Sequence, residues 1–382
     1  MIRIEDKTTC AGCSACIISC PKQCIAWETD NEGFKYPSVD CNICIDCHLC
    51  ERVCPVLHTE KEPQKEVEIY AAYCIDEIIR KESSSGGIFS ILAKSVLDEG
   101  GCVYGAAFDE SFNVKHVCIE NTIDIKRLRG SKYVQSDIGD CINQAKHQLM
   151  KGRKVLFSGC PCQVNGLINS VGNKWRENLL TVDFICHGVP SPKIYQMYVE
   201  WMGRRGEIEQ LSFRDKECGW KTFSFSVSYR NGGRYSKILT FDKYLQMFLR
   251  NIILRPSCYK CKQIHLSDLT LADYWTIAKE IPKMNDDQGV SMVCVNTNNG
   301  QQMWDKIKDN LHYSSRGKMK PKNQKGRPVP QKRTALFEDA SKLSFDVLYS
   351  KHVKRGFLFE FGNLVKGYTK IALHHLHLYN WG

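Results

Sequence analysis

Two cysteine runs near the start of the chain constrain it more than any other feature. Cys10-x2-Cys13-x2-Cys16-x3-Cys20-Pro21 is repeated as Cys44-x2-Cys47-x2-Cys50-x3-Cys54-Pro55. The two-residue spacing lets one tight loop aim three thiolates at a single centre. The fourth cysteine, on the following helical turn, reaches the other centre, which is the bacterial arrangement for a pair of 4Fe-4S clusters. Cluster one is therefore assigned Cys10, Cys13, Cys16 and Cys54, and cluster two Cys44, Cys47, Cys50 and Cys20. Zinc is the alternative, but structural zinc usually joins two close ligands to two distant ones. Cys24 and Cys41 complete neither run and are read as structural thiols.

The remaining composition narrows the context. The chain holds 21 cysteines in 382 residues, and its first residues, Met1 to Lys7, have no apolar core of a secretion signal. A disulfide scaffold is thus not expected, and thiols held reduced in a cytosol are free for metal. No stretch approaches the ~18 apolar residues of a membrane span. The net charge of +11 is spread along the chain, and only residues 316–333 form a dense one-signed run, with eight Lys and Arg and no acid. That run reads first as a solvated basic loop, and otherwise as a dock for an acidic partner such as a ferredoxin. Nucleic acid is not an expected partner.

Residues 1–58 read as a small ferredoxin-like domain and the charged stretch 59–68 as a linker. From Ile69 to residue 315 helical and strand patterns alternate, the signature of a mixed-sheet α/β domain, so the whole is an α+β and α/β chain. Ile88, Phe89, Ile91, Leu92, Val96 and Leu97 make a helical apolar face, and a strand from Cys102 to Phe108 follows. A helix over about Asp137 to Lys151 precedes strands at Lys154–Ser158 and Leu179–Cys186. Asn231-Gly232-Gly233 marks a hairpin inside Lys221–Ile238. Residues 334–382 read as a helical C-terminal segment, whose aromatic part, Gly356 to Trp381, suits docking.

Several motifs of this second domain carry chemistry. Ser83-Ser84-Ser85-Gly86-Gly87 opens a helix, where free N–H groups and the positive dipole end suit a phosphate; a plain cap is the alternative. Gly130-Ser131-Lys132-Tyr133-Val134-Gln135-Ser136 offers Lys132, either as a neutralising cation or as a solvated lysine. Ser158-Gly159-Cys160-Pro161-Cys162-Gln163, Cys186-His187-Gly188-Val189-Pro190-Ser191-Pro192 and Cys258-x2-Cys261 leading to Asp268 and Asp273 place thiols at strand ends and in a loop. Strand ends at one edge of an α/β sheet converge, so these thiols can meet.

Over about residues 69–280 these motifs together resemble the beta subunit of coenzyme F420-reducing hydrogenase and its relatives, a family of iron-sulfur flavoproteins that includes chlorophyll-pathway reductases. The resemblance implies a flavin-type fold, FAD as the owner of the phosphate at Ser83–Gly87 and Lys132, and a third 4Fe-4S cluster on Cys162, Cys186, Cys258 and Cys261. Cys160 departs from the family pattern and leaves open which of Cys160 and Cys162 is the ligand; Cys162 is taken. His187 is a candidate proton donor to substrate or hydrogen-bond donor to a cluster, or a satisfied structural histidine. Asp273 is open in the same way.

The expected function is an oxidoreductase that passes electrons between the ferredoxin-type clusters and FAD, acting on a small organic substrate and exchanging electrons with a ferredoxin or reductase. The alternative is an electron-transfer subunit of a larger complex with no substrate of its own. Oligomeric state, substrate and direction of flow are not encoded in any motif.

Overall fold

The computed structural model describes residues 1–58, 66–262, 264–320 and 326–354, together with Thr369. Most of the stretch read as a linker, and the aromatic segment from Gly356 apart from Thr369, lie outside the described residues. The first module is built on a hairpin of β1 (Ile25–Thr29) and β2 (Lys35–Val39), with the short helices Ala15–Ile18 and Leu49–Arg52 lying between the cysteine loops.

The second module centres on one eight-stranded mixed sheet. Its strands are β3 (Val67–Cys74), β4 (Cys102–Phe108), β5 (Val114–Ile119), β6 (Val155–Ser158) and β7 (Leu179–Phe184). A separate antiparallel sheet of β8 (Ile208–Asp215), β9 (Ser224–Tyr229) and β10 (Arg234–Ile238) interrupts the order, which resumes with β11 (Leu269–Asp273), β12 (Ser291–Val295) and β13 (Leu311–Met319). The large sheet runs β13-β3-β12-β11-β7-β6-β4-β5. Its centre is parallel, β4 with β6, β6 with β7 and β7 with β11, while both flanks are antiparallel. Val155, Leu156 and Phe157 are buried without alternation, as a strand covered on both faces requires.

The helix expected from Ile88 runs Ile88–Asp98, and the one expected from Asp137 begins later, at Cys141, and ends at Met150. Asp137 is held instead in the β5 ladder, its N–H donating to the Val114 carbonyl. The Leu179 strand stops at Phe184, so Cys186 lies just past its end. Asn231 and Gly232 turn β9 into β10, with Gly232 at φ 81°. The basic run splits in three. Arg316 and Lys318 sit on β13, Arg327 bonds the Asn251 side chain, and Arg333 is buried at 7% exposure. The solvated-loop reading therefore fails for Arg327 and Arg333, because each finds acceptors in the fold that outweigh hydration. Arg333 opens the helix Arg333–Asp339, which packs with Phe345–His352 on the large aromatic core.

Candidate redox centres and cofactor site

Both cysteine loops fold the same way. Gly12 (φ 67°) and Asp46 (φ 49°) lie between the first and second cysteines, and Ser14 (φ 69°) and His48 (φ 58°) between the second and third. Left-handed backbone at non-glycine residues costs about 1–3 kcal/mol each and persists where the surroundings demand it. In the second loop the Asp46 N–H donates to Cys44 Sγ at 3.4 Å, and from outside the loop the Ile2 N–H donates to Cys50 Sγ at 3.4 Å.

The structure brings the eight thiols together in the crossed sets that the spacing implies. Cys10, Cys13, Cys16 and Cys54 line one space of about 330 Å³, and Cys20, Cys44, Cys47 and Cys50 line another of about 330 Å³. Cys24 joins the second group, its sulfur 3.4 Å from that of Cys20, a closeness the spacing did not reveal. The two sets differ in exposure. All four thiols of the first are buried, whereas Cys47 is exposed and Cys20 and Cys44 are half-buried. Burial pushes the Cys13 thiol up to about 12, with Cys54 and Cys10 adding to the shift. Thiols that burial and their own neighbours keep protonated ionise when a metal takes the charge. Among the described residues no three His, Cys, Asp or Glu side chains are placed to hold a single metal ion.

A third group of thiols forms at the carboxyl edge of the parallel strands. Cys160 and Cys162 follow β6, Cys186 follows β7, and Cys258 sits in the helix Pro256–Lys260 with Cys261 just after it. Cys160 shares a hydrogen bond with Cys186, which together with burial drives the Cys160 thiol far up. Burial also raises Cys162 strongly, and Cys186, Cys13, Cys261 and Cys258 all add to it. The four expected thiols thus lie within electrostatic reach of one another, with Cys160 beside Cys186, and Cys13 of the first set acts on Cys162 as well. Two amides aim at this group, Gly188 N–H to Cys186 Sγ (3.3 Å) and Val189 N–H to Cys258 Sγ (3.4 Å). Gly166, on the helix Pro161–Val171, lets the first set come close: a Cβ there would stand 3.1 Å from Cys13 Sγ.

His187 stacks edge-on against Phe248, and burial, then Arg327, lower its pKa to about 4. Its Nε2 is buried with no hydrogen-bond partner among the described residues. A neutral imidazole is a poor acid at pH 7 but retains an N–H for hydrogen bonding. Asp273 is spoken for, accepting from Arg214 at 2.5 Å and from the Trp220 indole at 3.1 Å. Asp268, fully buried, accepts from Thr181, Thr297 and Arg176. Both read as structural.

The Ser-Gly run is tightly tied. Ser83 Oγ donates to the Ile79 carbonyl, Ser85 Oγ to the Val290 carbonyl, and the Gly86 N–H to Ser291 Oγ. Gly86 has no room for a side chain, since a Cβ would meet the Ala72 carbonyl at 2.4 Å. Gly87, at φ 87°, caps the Ile88–Asp98 helix without a side-chain cap, leaving that helix start to an outside acceptor. Ser84 Oγ accepts from the Ser131 N–H at 2.6 Å, so the run meets the Lys132 segment directly. Lys132 Nζ donates to the carbonyls of Leu128, Arg129 and Gly130 at 3.1–3.3 Å, and burial alone lowers its pKa to about 7. The partly buried amine is thus bonded only to neutral carbonyls, with no carboxylate partner among the described residues. Lys216, missed in the sequence, clamps the same run by donating to the carbonyls of Arg80, Ser85 and Gln288.

Comparison with known proteins agrees with this division. Residues 9–57 match the 4Fe-4S dicluster domain. Residues 69–143 match the N-terminal region, and residues 152–318 the C-terminal region, of the coenzyme F420 hydrogenase/dehydrogenase beta subunit. The F subunit of the F(420)H(2) dehydrogenase of Methanosarcina mazei is 22% identical over 327 residues, 81% of this chain and 85% of that protein. The coenzyme F420-dependent sulfite reductase of Methanocaldococcus jannaschii is 28% identical over 170 residues, 43% of this chain but 25% of that protein. A chain in the solved F420-reducing [NiFe] hydrogenase complex from Methanosarcina barkeri superposes with a TM-score of 0.48 at 20% identity, covering 77% of this chain and 94% of that one. Among the described residues no helix is long and apolar enough to cross a membrane.

Proposed function

Because the chain belongs to the family of coenzyme F420 hydrogenase/dehydrogenase beta subunits, we propose that it is the electron-transfer subunit of a larger oxidoreductase assembly, with its thiol sets acting in series. The observation that carries this reading is spatial order. The half-open set of Cys20, Cys44, Cys47 and Cys50 faces solvent, and the buried set of Cys10, Cys13, Cys16 and Cys54 lies inside it. Cys13 in turn lies against Gly166 of the helix that carries Cys162, and its charge acts on the Cys162 thiol. An outer port, a buried middle and an inner terminus are what a relay between a docked redox protein and a buried site needs. A relative named as one subunit of a dehydrogenase favours a multi-chain setting.

A second reading adds FAD and a small organic substrate, and Lys132 favours it. A bound flavin would supply the exchange of single electrons with clusters for paired electrons as hydride. Ser84, Ser85, Gly86 and Gly87 would present backbone to the pyrophosphate, Lys132 would balance its charge, and Lys216 would fix the loop. His187 would hold an N–H against the inner group.

The test is anaerobic purification with iron, sulfide and released-flavin quantitation. About twelve irons per chain follow from three clusters of four, and about one flavin from the second reading. In Cys258→Ser/Cys261→Ser the iron content should fall by about four with the two ferredoxin-type signals intact. Unchanged iron in that variant overturns the inner centre, about eight irons without flavin leaves the ferredoxin module alone, and iron near zero defeats both readings.

A further inference from the structure

Arg255 is fully buried, and no ion pair involves it among the described residues. Its four hydrogen bonds go to neutral oxygens and one sulfur. Nε donates to the Cys10 carbonyl (2.8 Å), Nη1 to Gln135 Oε1 (2.9 Å), Nη2 to the Lys35 carbonyl (2.8 Å), and Nη2 also to Cys10 Sγ (3.5 Å). The guanidinium lies over the rings of Tyr36 at 4.4 Å and Phe34 at 5.3 Å. Arginine keeps its charge at any accessible pH, and a buried charge persists only when an opposite charge compensates it. Among the described residues no carboxylate lies within ion-pair distance of Arg255.

We propose that Arg255 is a positioning residue whose counter-charge is the cluster held by Cys10, Cys13, Cys16 and Cys54, and that it raises the reduction potential of that cluster above that of its neighbour. A cubane held by four thiolates is anionic and gains one further negative charge on reduction, so a fixed cation against Cys10 favours the reduced form more than the oxidised one. Among the described residues no buried cation bonds a sulfur of the second set: its sulfur contacts come from the amides of Ile2 and Asp46 and from Cys24, while of the cationic groups lining its space Lys22 is exposed to solvent and the N-terminal amine is paired with Asp46 and Glu51. The difference makes the buried cluster the resting place of an electron arriving from the exposed one. Arg255 also stands three residues before Cys258, so the same charge reaches the inner group.

The proposal rests on the cluster reading of the first set, and its test separates the two. Midpoint potentials of the N-terminal clusters are measured in the full chain by redox-poised electron paramagnetic resonance, the two signals being assigned with Cys13→Ser and Cys47→Ser. In Arg255→Met the first cluster should be harder to reduce, by at least about tenfold in the reduced-to-oxidised ratio at fixed potential, which is about 59 mV for a one-electron couple. The second cluster should not move. Gln135→Glu is the second variant, because it sets a carboxylate on Nη1 while Arg255 stays in place, and it should shift the same signal in the same direction. If Arg255→Met fails to take up iron, Gln135→Glu decides. An intact first-cluster signal with unmoved potential overturns the proposal, as does an equal shift of both clusters. Absence of the signal from the unaltered protein would instead overturn the cluster reading itself.

Discussion

Removing Arg333 should loosen the ferredoxin-like module from the sheet domain without unfolding either. Arg333 forms a two-pronged pair with Glu32, which lies in the turn of the β1–β2 hairpin, and it also donates to the Leu254 carbonyl. The side chains are 8% and 19% exposed. Breaking a fully buried pair by deleting one partner costs about 3–5 kcal/mol, and partial solvation of Glu32 reduces this to roughly 2–3 kcal/mol. The turn keeps other ties, from Lys193 Nζ to the Asn31 carbonyl at 2.9 Å and from Lys35 to Asp137 at 2.7 Å, so the expected effect is local opening. In Arg333→Met, amide exchange over residues 28–36 should speed up roughly 30- to 150-fold, at a decade per ~1.4 kcal/mol. Exchange in Val155–Ser158 should not change. A double-mutant cycle with Glu32→Gln should return a coupling of roughly 2–3 kcal/mol. Coupling below about 0.5 kcal/mol, the range of an ordinary surface pair, would refute the idea that this contact holds the modules together.

Two further outcomes are expected. Gly166→Ala gains helix propensity of about 1 kcal/mol, but its methyl group would stand 3.1 Å from Cys13 Sγ and 3.2 Å from Ala15 Cβ. Faster loss of iron from the first cluster to a chelator is therefore expected, and an unchanged rate would show that the helix yields without moving the loop. Burial raises the Asp242 carboxyl to about 6 from 3.8, against the pull of bonds from Tyr198, Leu245 and Tyr235. The folded state thus binds this proton more tightly than the unfolded one. Its contribution is complete below pH ~4 and is lost as pH rises through ~6, a swing of about 3 kcal/mol at ~1.36 kcal/mol per unit. Asp242→Asn should flatten denaturant-measured stability between those pH values, and an equally steep profile in the variant would assign the slope to another group.

The parts of this chain that could be read in advance are those in which chemistry is local. A 4Fe-4S loop needs three thiolates within seven residues, so Cys10 to Cys16 and Cys44 to Cys50 declare themselves, and the alternation of helix and strand from Ile69 declares the mixed sheet. That Cys162, Cys186 and Cys258 share one edge follows from the strand ends that precede them, but only resemblance singled out those cysteines among 21. Cys24 beside Cys20 escaped because it follows the fourth cysteine of a run that is already complete. The basic run misled because a string of like charges looks solvated until its acceptors are known, and those of Arg333 lie 79 and 301 residues away.

Arg255 shows why such residues stay hidden and why they matter most. It stands 245 residues from Cys10, in a stretch where arginine before proline has no particular meaning. Its burial is costly in isolation, and sequence patterning alone would place it at the surface. The cost becomes intelligible only when the fold sets a guanidinium against one thiol set and not the other. On the proposal above, the cysteines hold the electrons, and a cation placed by long-range packing adds to the difference in burial between two sets that share one ligand motif. A relay of like clusters therefore takes its asymmetry from residues outside its ligand motifs. On that proposal the asymmetry falls on the buried set, whose Cys13 is the thiol that acts on Cys162.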